Sequence, residues 1–132
     1  MTYISEKYQL GIIVEFLNEN KIKFATEQLV YSIPIDIIGY DGTNVISIEL
    51  KTKDFGRGLA QAERNTAYVD HSYLSVWKSN LTEGLIERVD ETSIGLLAID
   101  EDVEVVSTPM KNTPNSYARK KVKNIVESHN EI

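Results

Sequence analysis

Ile33-Pro34-Ile35-Asp36-Ile37-Ile38-Gly39-Tyr40-Asp41-Gly42-Thr43-Asn44-Val45-Ile46-Ser47-Ile48-Glu49-Leu50-Lys51 is the stretch on which the fold turns. Residues 33–40 read as a strand. Ile33, Ile35 and Ile37 fall on one face, and Pro34, Asp36, Ile38 and Tyr40 on the other. Asp41-Gly42-Thr43-Asn44 is a hairpin turn signal. Residues 45–51 read as the return strand, with Ile46, Ile48 and Leu50 on one face and Ser47, Glu49 and Lys51 on the other. If the loop is centred on Gly42-Thr43, Tyr40 opposes Val45 and Asp36 opposes Glu49. If the loop is Asp41-Gly42, Asp36 opposes Ser47 and Glu49 is its diagonal neighbour. Both registers put the two carboxylates on one face, whereas a three-residue loop would separate them.

Outward from this hairpin the periodicity gives an order of elements. Residues 6–17 read as an amphipathic helix, with Glu6, Leu10, Ile13 and Leu17 on one stripe and Ser5 as cap. Strands are predicted over 23–30, 71–77, 94–99 and 103–107, and helices over 59–69, 82–89 and 116–128. The order is αβββαβαββα, an α/β (α+β) domain spanning residues 1–132, with a mixed central sheet flanked by helices.

Composition narrows the functional classes. The chain has 132 residues and no cysteine, which removes disulfide frameworks, thiolate metal sites and cysteine nucleophiles. No apolar run is long enough to span a bilayer, and the first residues lack a signal-peptide pattern, so a cytoplasmic protein without membrane contact is expected. No serine has a histidine in a plausible relay. The net charge of −6 argues against non-specific adhesion to nucleic acid. The acidity is uneven, however. Residues 78–108 carry eight acidic and two basic groups, while residues 109–132 carry five basic and two acidic.

Facing carboxylates repel, and something must relieve them. Lys51 can do so alone, which makes the face a solvated Glu–Lys surface. A hard divalent cation relieves it better. Other residues add to the pattern. Glu6 stands on the apolar stripe of the first helix, and Gln61 begins the helix after Lys51, with Asn65 and Tyr68 on the same side.

Pro34-Ile35-Asp36, Glu49-Leu50-Lys51 and Gln61, in this order of elements, resemble the PD-(D/E)XK nuclease superfamily, the restriction-endonuclease-like fold. The resemblance covers residues 5–77, and the size and early Glu6 are most similar to archaeal Holliday junction resolvases. It implies that Asp36 and Glu49 hold Mg²⁺ (or Mn²⁺) with the backbone carbonyl of Leu50, and that Glu6 stands in the outer shell or on a second metal. Lys51 would orient or activate the attacking water, and Gln61 would position the phosphate or support the lysine. The implied activity is metal-dependent hydrolysis of DNA phosphodiester bonds, structure-selective in a homodimer or directed by a targeting partner protein. The alternative is a catalytically silent nucleic-acid-binding or protein-interaction module. A phosphate track would comprise Lys53, Arg57, Arg64, Arg119, Lys120, Lys121 and Lys123.

Overall fold

The computed structural model describes residues 6–129; the Ser5 cap lies outside them. The elements are α1 (Glu6–Glu19), β1 (Lys23–Val30), β2 (Ile33–Tyr40), β3 (Val45–Lys51), α2 (Phe55–Asn65) and β4 (His71–Trp77), followed by a 3₁₀ turn at Lys78–Asn80. Then come α3 (Glu83–Asp90), β5 (Gly95–Ile99), β6 (Val103–Ser107) and α4 (Ser116–His129). The expected order holds. The six strands form one sheet in sequence order. β3, β4 and β5 are parallel, joined through α2 and α3, and the outer pairings are antiparallel.

Two layers of helix cover this sheet. Ile13 and Leu17 of α1 pack on Ile37, Ile46, Ile48, Leu50, Trp77, Leu97 and Ile99. On the opposite face, Val122 and Val126 of α4 cover Ala25, Val30, Ile35, Ile38 and Val45. Leu59 and Ala62 of α2, with Leu85 and Val89 of α3, cover Leu74, Val76 and Leu96. Burial of these aliphatic groups is the main stabilising term, roughly 1.5–3 kcal/mol for each large side chain.

Three local expectations are corrected. First, Ile35 does not share a face with Ile37; it joins Ile38 beneath α4. The cause lies across the ladder. Thr26 pairs with Ile37 and Gln28 with Ile35, and between them Glu27 has a left-handed backbone, φ 53°. That single residue breaks the two-residue alternation in β1 and, opposite it, at Asp36. Second, α2 begins at Phe55, after a left-handed Asp54, and ends at Asn65, four residues earlier at each end than periodicity predicts. Gly56 and Gly58 therefore lie inside its first turn rather than before it. Third, the buried stripe of α1 is Gln9, Ile13 and Leu17, and Glu6 is exposed.

Candidate active site

The hairpin has the register in which Tyr40 faces Val45, with a four-residue loop whose Asp41 carboxylate accepts from the N–H groups of Thr43 and Asn44. The β2–β3 ladder stops at Ile37–Ile48. One step further the strands diverge, and Asp36 Oδ2 accepts a hydrogen bond from the Leu50 N–H at 2.8 Å. The carboxylate thus takes the place of a ladder carbonyl. Since the N–H and C=O of one strand residue point to the same side, the Leu50 carbonyl faces the same opening.

Glu49 lies on the α2 side of β3 and is only 3% exposed. Its Oε2 accepts from Asn65 Nδ2 at 2.8 Å and lies 3.9 Å from Arg64 Nη2. Arg64 also donates to the Pro34 carbonyl at 2.8 Å, so it bridges the start of β2 to Glu49. Burial, reinforced by the Asp36 charge, raises the Glu49 carboxyl to about 7 against the partial relief of Asn65 and Arg64. This is a carboxylate pair short of positive charge. Lys51, on the same face as Glu49, makes no ion pair among the described residues. Its aliphatic stem lies against Gly58, where a Cβ would collide with Lys51 Cγ and come within 3.0 Å of Leu74 Cδ1. Gly58 is therefore the residue that lets Lys51 lie flat beneath α2.

Glu6 is exposed but lines one cleft of about 550 Å³ together with Lys7, Leu10, Thr26, Glu27, Asp36 and Leu50. Glu6, Asp36 and Glu49 do not converge: among the described residues no three acidic or histidine side chains are grouped for a metal ion. The donor set that fits a hard cation is Asp36, Glu49 and the Leu50 carbonyl. Gln61 lies one turn before Asn65 on α2, and its Oε1 is buried without a hydrogen-bond partner among the described residues. A buried amide oxygen without a donor is a ready acceptor for an ammonium or a bound water.

Sequence reasoning missed Gln9 and Glu27. Gln9 is fully buried, donating to the Lys51 carbonyl at 3.1 Å and accepting from the Ser75 hydroxyl. It pins α1 to the end of β3. The only signal was its i−4 spacing from Ile13.

The basic residues separate into distinct places. Arg64 points inward to Glu49 rather than outward. Arg119, expected on a phosphate track, is committed within the fold: its Nε bonds both oxygens of the buried Asp70 at 3.0 and 3.1 Å, and its Nη2 the Thr43 carbonyl at 2.6 Å. Lys121 and Lys123 lie over the rings of Tyr31 and Tyr40. Lys53, Arg57 and Lys120 are exposed.

The architecture is a six-stranded mixed sheet between helices, and it recurs in a solved protein. The SPO1766 protein of unknown function from Silicibacter pomeroyi superposes with a TM-score of 0.76 over 98% of this chain and 88% of its own, at 15% identity. This likeness is one of fold. No protein-family profile and no curated protein matches the chain. No helix among the described residues is long and apolar enough to cross a membrane.

Proposed function

We propose that the protein is a metal-dependent nuclease hydrolysing phosphodiester bonds in DNA, with the restriction-endonuclease-like arrangement of Asp36, Glu49 and Lys51. The observation that carries this reading is the nearness of Asp36 to buried Glu49 where β2 and β3 part, with no lysine paired to either carboxylate among the described residues. A hard divalent cation such as Mg²⁺ or Mn²⁺ suits Asp36, Glu49 and the Leu50 carbonyl, and it would lower the pKa of water and polarise a phosphoryl oxygen. Lys51 then supplies a positive charge for the phosphate, oriented by its contact with Gly58. Asn65 fixes the rotamer of Glu49, and Gln61 offers its free oxygen to Lys51 or to water. Glu6, across the cleft from Asp36, acts in the outer shell. One such site cuts one strand, so action on a duplex or junction calls for a homodimer.

Arg64 supports a second reading, a nuclease-fold binding module without catalysis, because it already gives Glu49 an internal cation at 3.9 Å. Thermal unfolding in the presence of Mg²⁺ or Mn²⁺ separates the two. The nuclease reading expects a stabilisation of about 2.7 kcal/mol once free metal exceeds its Kd about a hundredfold, lost in Asp36→Asn. A melting temperature indifferent to millimolar metal favours the silent module.

A further inference from the structure

Tyr31 and Ser32 form the two-residue turn between β1 and β2, closed by the Val30–Ile33 pair. Their φ angles are 50° and 69°. Two consecutive positive values mark a type I′ hairpin turn, which favours asparagine and glycine and disfavours a bulky ring. The ring is not there to fill the core, since Tyr31 is 53% exposed. A strained backbone that presents an exposed aromatic group points to contact with something outside the chain.

The surroundings indicate what that is. The Tyr68 ring lies 6.3 Å from that of Tyr31, tilted by 42°. The Lys121 ammonium stands 5.7 Å from the Tyr31 centroid, and Lys120 is exposed next to it in the chain. Tyr68 is half-buried against the core beneath α4 and backs the exposed Tyr31 ring. An exposed aromatic ring beside an ammonium suits unpaired nucleotides, whose bases stack while their phosphates meet the lysine. A continuous duplex keeps its base faces hidden. The patch is also linked to the carboxylate site. Tyr68 follows Asn65 by three residues, and Pro34, three residues after Tyr31, holds Arg64. Along β2 the span from Tyr31 to Asp36 is about 17 Å, a few nucleotides of extended strand.

We propose that Tyr31, Tyr68 and Lys121 form a stacking site for unpaired nucleotides and deliver a single-stranded segment to Asp36 and Glu49. The delivery rests on the nuclease reading; the binding does not.

The test is fluorescence anisotropy of the full chain with a labelled oligothymidylate and with a duplex of the same length, in metal-free, low-salt buffer. Tyr31→Asn removes the ring while suiting the left-handed turn. It should weaken oligothymidylate binding about fivefold to a hundredfold, leave duplex binding unchanged, and keep or raise the melting temperature. Stability and binding then move independently, which a structural role for the ring would not produce. In Tyr31→Trp, the new indole should be quenched by oligothymidylate and not by duplex. Unchanged oligothymidylate affinity in Tyr31→Asn, equal losses on both probes, or no binding of oligothymidylate by the unaltered chain overturns the proposal. Oligothymidylate binding that depends on Tyr31, without metal-dependent cleavage, upholds the binding site and overturns the nuclease reading with the delivery that rests on it.

Discussion

Asp36, one residue beyond the last paired position of β2, accepts the N–H of Leu50, two residues beyond that of β3, at 2.8 Å. A side chain here ends a ladder that the backbone could have continued. The two strands part, and the opening carries two carboxylates and a strand carbonyl. The consequences of that parting can be measured.

The pH dependence of stability should report on Glu49. Its carboxyl titrates near 7 in the folded protein and near 4.5 when unfolded. Between those values the folded state holds a proton that the unfolded chain has released. Stability therefore falls as pH rises through this window and is flat above it, by on the order of 1–3 kcal/mol. Metal-free protein should melt lower at pH 8 than at pH 5, and Glu49→Gln should remove most of that slope. Because a metal must displace the proton, Mg²⁺ should stabilise the protein more at pH 8 than at pH 5.

Glu27 should act through its backbone. A left-handed non-glycine residue costs roughly 1–2 kcal/mol. Glu27→Gly should keep or raise the melting temperature and preserve any metal-dependent stabilisation. Glu27→Val resists the left-handed conformation, so β1 straightens and turns Asp36 away from Leu50. Loss of both stability and metal response is expected in thermal melts of Glu27→Val.

This residue also shows where the sequence stops being legible. The order of all ten helices and strands follows from periodicity and turn chemistry, and the face of β3 is read without error from Ile46, Ile48 and Leu50. Asp36, Glu49 and Lys51 are visible because polar groups interrupt isoleucine runs. The faces of β2 are misread because the interruption of alternation sits in β1, at a glutamate with no local mark of a left-handed backbone. Gln9 is hidden because a buried amide at a helical position looks like any polar residue until its partners, Lys51 and Ser75, are brought to it by tertiary packing. Arg119 reads as part of a basic run because its partner Asp70 is 49 residues away.

Gly58 and Lys51 should be energetically coupled. Gly58→Ala forces its new methyl group into the Lys51 stem and costs roughly 1–3 kcal/mol. Most of that loss should be recovered when Lys51→Ala is combined with it, measured as a double-mutant cycle in urea unfolding. Simple additivity would mean that the lysine does not rest on Gly58.

Arg119 should matter for folding rather than for nucleic-acid affinity. The buried Asp70 also accepts the Val45 N–H at 2.8 Å, so the pair ties α4 to the start of β3. Arg119→Ala leaves a buried carboxylate without its cation and should cost about 3–5 kcal/mol in denaturant unfolding. Arg57→Ala, at an exposed position, should leave stability within about 0.5 kcal/mol.

The most direct test is cleavage itself. Labelled linear, circular, single-stranded, flap and junction DNA are incubated with the protein and Mg²⁺, with EDTA controls and with Asp36→Ala and Lys51→Ala alongside. Metal-dependent cleavage of at least one substrate, abolished in both variants, is the expected result. Cleavage that persists at full rate in Asp36→Ala, or its absence from every substrate with either Mg²⁺ or Mn²⁺, contradicts the assignment of Asp36, Glu49 and Lys51 as a nuclease site.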